Sequence, residues 1–509
     1  MVLSDDVPKL RSAMIALVRR GGSCAAGAAA AALELFLAAL PTIAITVLIA
    51  IINPFGVKDA AEDASLDVYE RLMAPWYPRA GQEQIAVILM DDTSLRALGQ
   101  RFPPDFTTYA RIGDALTAIG AEAVFFDFNF IDRRGDDADI AFFAASLGNL
   151  PTFLAATEPA STAETCQEVN VVNLPDIAKA VRSEPHPLIR NDGRRVELWR
   201  QEPCARQADR LPGADQADWP SGLRPAAALE LYRWYCWKTD GCRGSADDPR
   251  GNPDAFLGMT LTIEWGSAWP RGAESVHPAY AKLPSVCPDD SPASIVQQFR
   301  RSVLMAEKKA GDILFARGCS YHPVIRAEWL LEPDATGADA DAIGRLLAGR
   351  VVLVGAIFAG QNDVAGTPVF GDMPGVMLHA MAFDNLIVRG AGFLGTWPDG
   401  WFGGLGSDDA IELAIVGVMA ALGHCLAKLV SRWRPLTGLA VACVVAAAGG
   451  LLGFGCVVFL TAWQRFEPVN WVGLMLAGIV LSHPLLDAIT ENWRRRVEGL
   501  RSQLRLRKE

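Results

Sequence analysis

Residues 85–132 read IAVILMDDTSLRALGQRFPPDFTTYARIGDALTAIGAEAVFFDFNFID, a strand, a loop, a helix and a second strand. Residues 85–90 form an apolar, β-branched run of the length of a buried strand. Asp91-Asp92-Thr93-Ser94 follow and can cap a turn of helix. Pro103-Pro104 break the chain. Asp105 or Thr107 then caps a helix in which Ile112, Leu116 and Ile119 share a face, and Gly120 ends it. Residues 123–128 are a second buried strand, closed by Asn129 and Asp132. Two all-apolar strands joined through a helix predict a parallel, right-handed crossover. The clusters Asp91/Asp92 and Asp127/Asn129/Asp132 then fall at strand ends, on the edge of a parallel sheet where ligands usually bind.

The pattern returns at 349. Gly349-Arg350 lead into VVLVGAIF, another buried strand. The loop around Gly355 and Gly360 lacks the Lys and Ser/Thr of a P-loop and the glycine spacing of a dinucleotide fold. It reads as a strand-end loop, followed by an extended segment with Thr367-Pro368. Pro374-Gly375 then start a helix in which Val376, His379, Ala380, Phe383 and Leu386 share a face. A short amphipathic helix at 140–147 and a third strand at 151–156 complete an α/β expectation: a largely parallel sheet flanked by helices. Between these blocks, residues 157–320 form a cysteine-rich insert with many Pro, Gly, Asp and Arg. Within it RNDGRRVELW (190–199) reads as a hairpin turning at Asp192-Gly193. PAAALELYRWYCW (225–237) reads as a helix, its aromatics better suited to a disulfide-anchored core than to a ligand box.

Half of the 509 residues are hydrophobic, and the apolar excess lies at the two ends, the pattern of a membrane protein with a large soluble insert. Runs at 25–52, 409–430, 436–463 and 469–489 are each long enough to span hydrocarbon. Arginines and lysines cluster before the first run, between the second and third, and after the fourth, which puts all three clusters on the cytoplasmic side. The expected organisation is a cytoplasmic N-terminus (1–24), one helix, an external domain (53–408, with a helical lead-in to 80), three helices, and a basic cytoplasmic tail (490–509). Glu34 is placed near the cytoplasmic interface rather than in a helix contact. His424, His483 and Asp487 lack the paired spacing of an ion path. A net charge of −11 gives no footprint for nucleic acid.

Of ten cysteines, Cys166, Cys204, Cys236, Cys242, Cys287 and Cys319 fall in the external domain. An even count in an oxidising compartment points to disulfides, and six cysteines allow fifteen connectivities. Proximity favours Cys236 with Cys242, Cys166 with Cys204, and Cys287 with Cys319. With no CxxC pair and no His at ligand spacing, no metal or cofactor is expected.

The blocks VILMDDTSLRALG, AEAVFFDFNF with Asp139 downstream, and RVVLVGAIFAGQNDVAGTPVFGDMPGVMLHAMAFDNLI together resemble the CHASE family of extracellular sensory domains, subtype 2. The likeness runs from about 55 to 390, more weakly at NDGRRVELW and PVIRAEWLL, and the one-plus-three membrane pattern resembles that family too. It implies a bacterial inner-membrane protein with a periplasmic sensory domain, usually attached to a cytoplasmic kinase or nucleotide cyclase. Only 19 residues, 491–509, follow the last run, so the reading expects a separate effector in trans.

The function expected is therefore a non-enzymatic sensor subunit. Its candidate ligand-binding residues are Asp91, Asp92, Asp127, Asn129, Asp363, Thr367 and His379, although Asp and Asn cap helices in any fold. The alternative is a structural subunit of an envelope complex, its basic tail on anionic lipid or a partner. A third reading, a metal-dependent hydrolase, would use Asp91, Asp127 and Asp132, but no nucleophile or paired base accompanies them. Expected partners are membrane lipids and a cytoplasmic effector or envelope protein, with self-association left open.

Overall fold

In a computed structural model of the chain, the structure describes residues 56–155, 174–201, 223–303 and 318–397 apart from short internal gaps, and scattered positions from 407 to 471. The chain divides into two units: Met1–Leu66 with Trp397–Glu509, and Asp67–Thr396. In chain order the principal elements are α1 (Val57–Met73), β1 (Ile85–Asp91), α2 (Asp92–Ala97), α3 (Phe106–Ile119), β2 (Ala123–Phe126), α4 (Asp137–Leu147) and β3 (Thr152–Leu154). The middle region supplies β4 (Arg195–Glu197), β5 (Trp199–Gln201), β6 (Leu223–Pro225), α5 (Ala227–Thr239) and β7 (Thr260–Thr262). Last come β8 (Val324–Arg326), α6 (Ala327–Leu331), β9 (Val351–Ile357), β10 (Val364–Thr367), β11 (Gly371–Pro374) and α7 (Gly375–Arg389).

The central sheet has the order β3-β2-β9-β1-β8, and every neighbouring pair is parallel. β1 and β9 are buried along nearly their whole length, which is why they read as unbroken apolar runs. The crossover from β1 to β2 is parallel as expected, but the two do not touch. β9 lies between them, with Leu353 opposite Val87 on one side and Phe125 on the other. β8, in the weakly matching PVIRAEWLL stretch, was not predicted as a strand. It has three residues and sits on the edge, where a short strand leaves little periodic signal.

Side-chain alternation on β2 fixes the layers. The Phe125 ring meets His379 of α7, at 5.6 Å between centroids. The next residue, Phe126, meets Tyr109 of α3 and Phe143 of α4. α7 therefore covers one face, and α3 with α4 the other. Asp136 caps α4 in a reciprocal box with Asp139, and Gly120 ends α3 in the left-handed conformation. α7 packs so close to the sheet that a Cβ on Gly355 of β9 would collide with Val376.

Sequence periodicity gave α7 a single apolar face. The structure buries Gly375 through Leu386 without a break. The reason is α5, which packs on the outside of α7 through Tyr235 against Phe383 and reaches Phe153 of β3 through Trp234. The insert is thus part of one core with the sheet. Asp192 in the turn of the 190–199 hairpin and the chain just before it lie outside the described residues; Arg195–Glu197 pairs antiparallel with Thr260–Thr262, and Trp199–Gln201 with Leu223–Pro225. This long-range pairing leaves Val196 and Leu198 fully buried.

Cys236 is bonded to Cys242 and Cys287 to Cys319, both pairings that proximity favoured. Cys166 and Cys204 lie outside the described residues. In the smaller unit, Lys58 pairs with Asp409 at 2.8 Å, and the Trp397 indole donates to the Glu467 carbonyl at 2.8 Å. Among the described residues no helix is long and apolar enough to cross a membrane. The runs at 25–52, 436–463 and 469–489 lie wholly or mostly outside the described residues, as does 409–430 beyond 415.

Candidate functional site

Because all five central strands are parallel, their C-terminal ends share one edge, and the acidic residues gather there in two separate groups. The first surrounds Asp91, at the end of β1. Its Oδ1 accepts from the Thr93 and Ser94 amides at 2.9 and 2.7 Å, which caps α2 as predicted. Such a cap is worth about 1 kcal/mol. Its Oδ2 pairs with Arg326 at 3.2 Å, and Ser94 Oγ bonds to Glu328 of α6. Asp91 therefore ties β1 to β8 and α6, a structural task. Asp92 and Asn129 are exposed.

The second group lies beside α7. Asp127 follows β2, and its amide donates to the Val354 carbonyl of β9 at 2.8 Å. That bond holds its carboxyl against the helix, where only 9 % of the side chain is exposed. His379 Nε2 is 3.9 Å away, beyond hydrogen-bond reach. Among the described residues no side chain or amide donates to this carboxyl. Burial accordingly pushes Asp127 up to about 7. Asp363 enters from the root of the β10–β11 hairpin. Its carbonyl accepts from Gly375 N at 3.2 Å, and its carboxyl lies where a Cβ on Gly375 would be. Burial, then the Asp127 charge, raise Asp363 to about 6, against a downward pull from His379.

His186 borders this group from the insert. It is 2 % exposed, and neither ring nitrogen has a hydrogen-bond partner among the described residues. Burial, then the charges of Arg200, His379 and Arg224, lower it to about 3, so the imidazole is neutral. Its backbone is fixed by the Ala227 amide at the start of α5, which donates to its carbonyl at 3.0 Å.

The structure thus brings together Asp127, Asp363 and His379 from the predicted set, and adds His186. Thr367 serves the hairpin turn instead: its Oγ1 donates to the Gly371 carbonyl at 2.8 Å and accepts from Phe370 N at 3.1 Å. Asp91, Asp127 and Asp132 do not form a metal cage. Among the described residues no group of three or more His, Cys, Asp or Glu is placed to hold an ion.

Sequence reasoning passed over a buried network at the other end of α7. Asp384 is fully buried; it accepts from the Tyr77 hydroxyl at 2.8 Å and meets His322 Nε2 at 2.9 Å. Asn385 donates to the Tyr77 oxygen and to the Glu264 carbonyl, each at 2.8 Å. Arg389 closes the chain with a two-pronged pair to the Glu264 carboxylate at 3.0 and 2.9 Å. Burial pushes the Asp384 carboxyl up, while His322 and Tyr77 pull it down. An Asp-Asn pair inside an otherwise apolar helix was the available signal. The network bolts α7 to the segment that follows α1.

The parallel α/β sheet thus carries acids and a histidine at its C-terminal edge, where open parallel sheets usually bind ligands. Residues 43–422 match the family model of the CHASE2 domain, and the chain belongs to that family of extracellular sensory domains. No curated protein matches the chain, and no solved structure does.

Proposed function

We propose that this chain is the receptor subunit of a bacterial inner-membrane signalling pair, its periplasmic domain detecting a stimulus at the Asp127–Asp363–His379 cluster and acting on a separate cytoplasmic effector. In this reading the runs at 25–52, 409–430, 436–463 and 469–489 cross the membrane, and both termini are cytoplasmic. The chain is assigned no chemistry of its own. Membership of a sensory family supports the reading.

The observation that carries it is the cluster itself. The Asp127 carboxyl is only 9 % exposed and has no donor among the described residues, an arrangement that disfavours its charged form. A carboxyl shifted by burial at a sheet's C-terminal edge is a functional-site candidate. A stimulus acting there can shift the domain only through its differential affinity for two states.

The test is affinity purification of the full chain from its native membrane in mild detergent, with mass spectrometry of co-purifying proteins. A stoichiometric cytoplasmic kinase, cyclase or other nucleotide-handling protein is the expected result. Recovery of envelope-assembly proteins alone, or of this chain alone, would replace the receptor reading with that of a structural subunit.

A further inference from the structure

The Asp127 group is joined to α1 by a short mechanical route. Asp363 lies at the root of the β10–β11 hairpin, directly beside the first residue of α7. At the opposite end of the hairpin, the Pro368 carbonyl accepts from Arg71 Nε at 2.7 Å. Arg71 belongs to the last turn of α1. Its neighbour one turn back, Asp67, is held by Arg194 at 2.8 and 3.2 Å. A displacement of the hairpin root therefore reaches α1 through one bond at the turn.

We propose that the stimulus of this domain is the proton: protonation of Asp127 closes the hairpin onto α7, ionisation releases it, and Arg71 carries the change to α1. The inference rests on the receptor reading above. Ionised, Asp127 is a nearly buried carboxylate with no donor among the described residues, repelled by the Asp363 carboxylate. Neutral, it rests 3.9 Å from His379 Nε2 with no charge to solvate. The charged and titratable groups around it are His379 from α7, Asp363 from the hairpin root, His186 from the segment before α5, and Arg200 and Arg224 from β5 and β6.

The direction follows from linkage. In the closed arrangement the Asp127 carboxyl is held near 7, against an ordinary 3.8. An open arrangement that hydrates it has the ordinary value and releases its proton earlier. Closure is therefore favoured at the acid end and lost as pH rises towards 7. Three units of difference give at most about a thousand-fold change in the open-to-closed ratio.

The test is hydrogen–deuterium exchange of the full chain in detergent, from about pH 5 to about pH 8, corrected for the intrinsic pH dependence of exchange. In the wild-type chain, peptides covering 363–375 should lose protection about ten-fold or more as pH rises, and those covering 67–73 should follow. Asp127→Asn should shrink both responses, leaving only the part that Asp363 contributes. Arg71→Ala should keep the hairpin response and lose the α1 response. A pH-independent wild-type hairpin overturns the proposal without recourse to any variant, and so does an unchanged response in Asp127→Asn. A responsive hairpin with no co-purifying effector would instead sink the receptor reading and leave the proton latch standing.

Discussion

Replacement of Asp384 separates hydrogen-bond geometry from charge in the buried network. Asp384→Ala strands the Tyr77 hydroxyl, which loses its acceptor at 2.8 Å, and His322 Nε2, which loses its partner at 2.9 Å. Each stranded buried group costs about 1–3 kcal/mol, and breaking a buried pair by removing one partner costs about 3–5 kcal/mol in all. Against this, the substitution removes a carboxyl that burial itself disfavours, so the net loss should be about 3 kcal/mol. Asp384→Asn retains an acceptor for Tyr77 and fills the same space over Gly81; its cost should be about 1 kcal/mol. At about 2 °C per kcal/mol for a unit of this size, the apparent melting temperatures should fall by about 6 °C and about 2 °C. Thermal unfolding of the full chain at fixed pH, salt and scan rate measures both. An Ala variant within about 1 °C of wild type, or an Asn variant as damaged as Ala, would refute the hydrogen-bond reasoning.

Gly355→Ala should cost about 1–3 kcal/mol by thermal unfolding, because its Cβ has no space beside Val376; Val376→Ala in the same chain should recover part of the loss. Removing Cys287–Cys319, which closes a separation of 32 residues, should destabilise by about 4 kcal/mol. Removing Cys236–Cys242, with a separation of 6, should cost about 2 kcal/mol, and Ser pairs in reducing and oxidising buffer test the ranking. Stability should also carry a signature of Asp127. Its folded carboxyl keeps a proton that the unfolded chain has lost between 3.8 and about 7, so its contribution declines as pH rises through that window. Asp127→Asn should gain on wild type by up to about 4 kcal/mol between about pH 4 and about pH 8, and a constant difference between the two melting profiles would contradict the assignment.

What the sequence determined by itself was local in origin. Residues 85–90 and 351–357 are apolar enough to be only central strands, and Asp91, Asp136 and Gly120 punctuate helices by chemistry contained within a few residues. The family resemblance rested on the same two blocks, and the likeness holds because both carry a parallel-sheet core. What only the tertiary structure decided was which strands meet and which polar groups face each other. β9 enters between β1 and β2 from the far end of the domain. RVELW finds its partners near 260 and 224, far along the chain. Asp91 and Asp127 look alike in sequence, each at the end of a buried strand. Arg326 and the amides of α2 satisfy the first, while the second meets a histidine out of hydrogen-bond reach. Asp384 and His186 owe their character to burial and to groups distant in the chain, Tyr77 and His322 for one, and Arg200 and then His379 for the other. Periodicity and capping are set by neighbours along the chain and can be read from it. Desolvation and pairing are set by neighbours in space, and the packing of α5 over α7 creates them only once the chain has folded.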